Sequence, residues 1–379
     1  MAVVSNSGFS RRALFGVSLG LFALTSISAR AADQITFVSQ GGAYQKAQTI
    51  AILDPAAKKL GITVNQDSIP DAWPVIKSQV ASGKPIWDVV DVPTGYCLRG
   101  GDQGLIEKLD FATIPNAAAM PEAYRNAYSV AYEFYSSVLA YSQKKYPEGA
   151  TPNSWADFWD VKKFPGRRAL RNHPIATLEA ALMADGVAPD KLYPLDVDRA
   201  FRKLEEIKPN ITVWWTSGAQ SAQLLNDGEV DMVMAWNGRV SALTKEGAKV
   251  AFTFNQGILQ STSLCILKGA PNLATAISFL NEAVDPVNQA NLPLHIDYGP
   301  ANPKAFDTGV VKPERAATAE RTAERQQAGA DVLCLVVVVG RRSRREALGR
   351  LRSEIDGPVS GFDQRELRSS HLTATGNRR

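Results

Sequence analysis

Ile35-Thr36-Phe37-Val38-Ser39-Gln40-Gly41-Gly42-Ala43-Tyr44 begins as a β-rich run, breaks on two glycines and continues as a helical pattern. A strand that feeds a helix through a glycine turn opens a βαβ unit. The helical pattern covers 43–60 and stops at Gly61. Residues 62–67 read as a second strand, 71–81 as a helix ending at Gly83, and 87–92 as a third strand closed by Pro93-Thr94-Gly95. Strands alternating with helices predict an α/β fold whose parallel sheet is covered on both faces.

The alternation breaks at 128–141, where two β-rich runs follow one another without a helix. It resumes with a helix after Ser154, a good N-cap, and a strand over 168–171. Helices over 175–184 and 197–207, a strand over 211–215, a helix over 219–225 and a strand over 231–236 follow. Two more β-rich runs, 249–254 and 261–267, interrupt it again before a long helical pattern over 273–284. The expected division is 32–130 plus 262–310 as one lobe and 131–261 as the other, with two crossings between them. A cleft between such lobes is a usual small-ligand site, and it closes about a hinge.

Both ends differ from this body. Arg11 and Arg12 precede an uncharged apolar run over 13–28, and Ala29-Arg30-Ala31 is a small-x-small cleavage pattern. Residues 1–31 therefore read as a signal peptide removed near Ala31. A membrane anchor is the competing reading, but the run falls short of the about 20 apolar residues of a spanning helix. Ser10-Arg11-Arg12-Ala13-Leu14-Phe15 resembles a twin-arginine export signal. The last 69 residues, 311–379, hold 13 Arg, one Lys and no Trp or Tyr, while all seven Trp precede them. That composition is hard to pack, and a shifted frame or recombined 3′ end near Val310 would produce it.

The net charge of +4 resides in these ends, because residues 33–306 are slightly acidic. The body thus lacks the basic footprint of a nucleic-acid binder. Cys97, Cys265 and Cys334 are odd in number and far apart, with no CxxC pair, so the expectation is a fold held by its core and not by a disulfide framework. His173, His295 and His371 show no metal spacing, and no GxSxG elbow or phosphate loop is present. An enzyme that used Cys97 as nucleophile would need a base that the sequence does not reveal. No cofactor is implied.

Five segments together resemble the spermidine/putrescine-type family of periplasmic solute-binding proteins. They are 35–44 as quoted, Trp87-Asp88-Val89-Val90-Asp91-Val92-Pro93, Ser154-Trp155-Ala156-Asp157-Phe158-Trp159, Asn226-Asp227-Gly228-Glu229-Val230 and Ala235-Trp236-Asn237-Gly238-Arg239. The resemblance spans 35–306 and implies a two-lobe periplasmic-binding-protein-like fold (type II) with the ligand between lobes. It also implies a small-molecule solute, an ABC permease with its ATPase subunits as partners, a periplasmic location and a monomer. The family's aromatic C-terminal helices are missing from the tail, which keeps a damaged paralogue among the alternatives.

Candidate binding residues follow from the turns. Gly41 and Gly42 offer either close backbone approach to a ligand or a plain tight turn. Thr94, Gly95 and Tyr96 sit at the carboxyl end of a strand, where open α/β sheets bind ligands. Polyamine-binding relatives place an acid in the turn after 236, where this chain has Arg239; the loop Arg171-Asn172-His173-Pro174 and the surroundings of Thr262 also lack the family's acids. The expectation is an amino-carboxylate-like solute at Arg239, with a genuine polyamine receptor as the alternative. His173 is an anion partner or a structural residue. Thr216 and Ser217 bind through hydroxyls, or Ser217 only caps a helix. Trp236, Tyr298 and Tyr44 complete the set as aromatic walls, against a core role.

Overall fold

A computed structural model describes residues 33–312; the expected signal segment, the tail from 313 onward and Cys334 lie outside the described residues. Ten strands build one sheet: β1 (Gln34–Ser39), β2 (Thr63–Ser68), β3 (Val89–Pro93), β4 (Arg125–Asn126), β5 (Ser129–Ser142), β6 (Arg168–Arg171), β7 (Ile211–Trp215), β8 (Met232–Trp236), β9 (Val250–Ile266) and β10 (Gly299–Pro300). The order is β2-β1-β3-β9-β5-β8-β6-β7, with β4 and β10 paired to β5. β1 runs parallel to β2 and β3, and β6 runs parallel to β7 and β8. These two parallel triplets meet only through the antiparallel pair β5/β9. That is the two-lobe α/β architecture expected from the alternation, with both crossings visible as strands.

Each crossing is one strand rather than two. β5 has 14 residues and β9 has 17, beyond the usual strand length of about 5–6. The runs 249–254 and 261–267 read as separate, but β9 joins them, and Gln256 absorbs the irregularity between them at φ 54°. Trp155 fixes it there: its backbone N–H donates to Gln256 Oε1 at 2.8 Å and its indole to Gln256 O at 2.9 Å. The register shifts between Ala131 and Glu133 and between Ser137 and Leu139. The helical run after the first glycines continues through a π-turn at Thr49–Leu53 and buries Ala47, Ala51, Ile52 and Leu53 against the sheet.

The expectation of a fold without a disulfide is corrected. Cys97 and Cys265 are bonded, their Cα atoms 6.0 Å apart and their positions separated by 168 residues. The cause is topological. Val90 of β3 lies opposite Cys265 of β9, and the helix Thr94–Asp102 starts directly after β3, which lays Cys97 over that strand. Cys97 is fully buried, and its bonded sulfur closes the nucleophile reading. Among the described residues no helix is long and apolar enough to cross a membrane. No His, Cys, Asp or Glu cluster among them is placed to hold a metal.

Candidate functional site

A cavity of about 150 Å³ lies between the two triplets, lined by the carboxyl ends of strands from both. Ser39 ends β1, Asp71 follows β2, and Asp91 with Tyr96 marks the end of β3; Arg171 and His173 close β6 and Thr216 follows β7. Parallel strands point the same ends at the gap, so polar groups converge there although the sheet interior is apolar.

Asp91 forms part of one wall and is buried. Its Oδ2 accepts from Gln48 Nε2 at 2.8 Å, Ser39 Oγ at 3.3 Å and the Tyr44 hydroxyl. Oδ1 has no hydrogen-bond partner. Burial raises this carboxyl above its usual range, and donors including Thr262, Tyr44, Gln48 and Ser39 oppose the shift. Behind it Glu133, also buried, is pushed well above the ordinary range by burial and then by Asp91.

Arg171 faces the cavity from the other triplet. Its guanidinium lies 5.2 Å from the ring centre of Trp236 and 5.8 Å from that of Trp215. The side chain is buried, and Nη1 has no hydrogen-bond partner. Neither Arg171 nor Asp91 is in an ion pair among the described residues. Aromatic faces stabilise a cation, but a buried guanidinium still calls for an anion.

His173 and Tyr96 bridge the two sides. His173 Nδ1 accepts the Ile175 N–H at 3.1 Å, which leaves the ring proton on Nε2. From there it donates to the Tyr96 hydroxyl at 3.0 Å. Burial, and then the charge of Arg171, lower the His173 pKa to about 3, so the ring is neutral at ordinary pH.

The cavity gathers Tyr96, His173 and Thr216 from the expected set. The others sit around it. Arg239 is buried, and its fork is occupied: Nη1 donates to Gly41 O at 2.8 Å and Nη2 to Gln40 O at 3.4 Å. Gly41 and Gly42, at φ 66° and 63°, let the chain approach that fork; a Cβ on Gly42 would stand 2.7 Å from Nη1. Tyr44, Tyr298, Tyr135 and Trp236 form an aromatic row of T-shaped and tilted contacts with centroids 5.5–5.6 Å apart. Thr94 Oγ1 is engaged with Ser261 and Ser263 at 2.9 and 2.8 Å, and Gly95 is exposed beside it. Ser217 Oγ accepts the Gln220 N–H at 3.2 Å and caps the helix Gly218–Asn226. Thr262 is buried next to Asp91.

Sequence reasoning did not single out Asp91 and Arg171, which both line the cavity, as candidate ligand contacts. Both carried a signal: Asp91 is an acid inside the apolar run Val89-Val90-Asp91-Val92, and Arg171 is the last residue of a buried strand.

The description "bacterial extracellular solute-binding protein" fits residues 51–319 as a family match. A gamma-aminobutyric acid-binding protein of Pseudomonas aeruginosa is 39% identical over 300 residues, which are 78% of this chain and 83% of the relative. The spermidine/putrescine-binding periplasmic protein 1 of Haemophilus influenzae is 25% identical over 266 residues, 67% of this chain and 72% of that one. Among solved structures, an ABC transporter substrate-binding protein from Bradyrhizobium japonicum USDA 110 is 79% identical, with a TM-score of 0.72; the match covers 79% of this chain and 99% of that chain. Cleft geometry, family match and relatives agree: the chain belongs to the bacterial extracellular solute-binding proteins and is the substrate-binding component of an ABC importer, not an enzyme.

Proposed function

We propose that the solute is a small amino-carboxylate, with its carboxylate on Arg171 and its ammonium on Asp91. One observation carries this reading: a buried carboxyl and a buried guanidinium, neither in an ion pair and each with one polar atom lacking a hydrogen-bond partner, line the same cavity. A bare diamine would set an ammonium beside Arg171, and a plain anion would leave Asp91 without a counter-charge. The cavity holds about five waters' worth of volume at roughly 30 Å³ each, room for a solute of a few heavy atoms. The name of the 39% identical relative, which refers to gamma-aminobutyric acid, supports the same chemistry. Tyr96, His173 and Thr216 complete the contacts, and Trp236 backs Arg171.

Residues 32–130 with 262–310 act as one lobe and 131–261 as the other. Solute shifts their equilibrium through tighter binding to the closed form, and the permease with its ATPase reads closure. The chain works as a monomer in the periplasm after removal of 1–31, with no nucleic-acid partner.

A polyamine solute is the second reading, favoured by two acids, Asp71 and Asp91, on one wall. Titration calorimetry with 4-aminobutyrate and putrescine separates the two. Binding of 4-aminobutyrate, weakened about a hundredfold (about 2.7 kcal/mol) in Arg171→Gln, is expected from loss of a buried charge partner. Binding of putrescine alone, or an unchanged affinity in Arg171→Gln, would refute the amino-carboxylate.

A further inference from the structure

The geometry points to Arg239 as a solute-independent latch, a positioning residue that draws the two sides of the cleft together without touching solute. Arg239 lies in the helix Asn237–Lys245, directly after β8. Its acceptors, Gly41 O and Gln40 O, lie at the turn after β1, in the other parallel triplet. β3, β9 and β5 separate β1 from β8 in the sheet, so these bonds span the gap directly.

The surroundings are shaped for that contact. The guanidinium carbon is 5.5 Å from the Tyr44 ring centre and 5.9 Å from that of Trp236, so one aromatic face from each side flanks it. A Cβ on Gly218 would come within 3.2 Å of Nε, and one on Gly42 within 2.7 Å of Nη1. Both positions next to the fork therefore lack side chains. The cation has no carboxylate in an ion pair, and its buried acidic neighbour Glu133 is held toward its neutral form by burial. What compensates the charge is the carbonyl pair across the cleft, with the Tyr298 hydroxyl beside it; the carbonyl pair is in reach only when the sides are close. Arg239 is absent from the cavity lining. A solute carboxylate could take Nη1 only by displacing Gly41 O.

This inference does not rest on the identity of the solute. Small-angle X-ray scattering of the solute-free protein tests it directly. Arg239→Gln is expected to enlarge the radius of gyration. Arg239→Lys should enlarge it less, because an ammonium keeps the charge but loses the planar fork. The lysine variant also keeps the test usable should Arg239→Gln fail to give a cooperative melt. A second measurement separates a latch from a solute contact. With 4-aminobutyrate and its carboxamide as probes, Arg239→Gln should weaken both by one factor of about ten to a hundred, since apparent affinity scales with the closed fraction. Superimposable scattering curves for wild type and both variants would overturn the latch. So would a loss confined to the carboxylate probe.

Discussion

Arg171 ends β6 and Arg239 lies in the helix directly after the neighbouring β8; both are buried, and both lie against Trp236. They differ in where their donors go. Nη1 and Nη2 of Arg239 go to carbonyls across the cleft and only its Nε has no partner, whereas Nη1 of Arg171 has no partner and its side chain lines the cavity. Residue type and burial are alike, so neither decides the role. The decisive fact is what stands opposite each side chain when the sheet is assembled: the bare backbone of Gly41 and Gly42 for one, an open space for the other.

The largest expected effect comes from the residue both arginines share. Trp236→Ala should destabilise the protein by about 3–5 kcal/mol, because it empties a buried volume that two cations lean on. Chemical denaturation would measure this, and a loss below about 1 kcal/mol would mean that the two sites are not coupled through the ring.

The next effect concerns Arg171 alone. His173 has a folded pKa of about 3, lowered by burial first and by Arg171 second, against about 6.5 unfolded. The unfolded chain thus binds more protons between these values. Stability from this group is fully present above about pH 6.5 and is lost as pH falls toward 3, by at most about 1.4 kcal/mol per pH unit. His173→Gln should flatten that part of the melting-temperature profile. In Arg171→Gln the onset should stay near pH 6.5, which the unfolded chain sets, while the loss should level off at a higher pH and be smaller in total, because one of the two causes is gone; an unchanged lower limb would remove Arg171 from the account.

The smallest effect calibrates the others. Ser217→Ala should cost about 1 kcal/mol of stability through loss of the helix cap, read from denaturant midpoints. No loss at all would free its hydroxyl for a role in the cleft.

The legibility of the chain follows the same division. Residues 168–171, 197–207 and 211–215 have the expected secondary structure residue for residue, because apolar periodicity is local information. The two interruptions of the alternation, at β5 and β9, were also legible, from two places where β-rich runs follow each other without a helix. What local pattern could not convey was partnership across the sequence. Residues 249–254 and 261–267 read as two runs, yet β9 passes through both, with Trp155 bonded to Gln256 between them. Cys97 and Cys265 look unrelated until β3 pairs with β9. The helix Pro286–His295 was missed because Pro293 interrupts its pattern. At the site, Arg239 attracted notice through a departure from relatives, while Asp91 passed as part of a strand.

The joined strands β5 and β9 have a mechanical consequence. Cross-strand pairs tie them along most of their length, and sliding by one residue would turn every buried side chain outward. The ribbon can therefore flex but cannot shear. Its compliance is greatest at the register shifts beside Glu133 and Ser137, where the ladder is already uneven. The disulfide rivets β9, at Cys265, to the helix Thr94–Asp102 that follows β3. The molecule thus resembles two plates on a leaf spring: their spacing and alignment are fixed, and a captured solute is reported outward as a single angle.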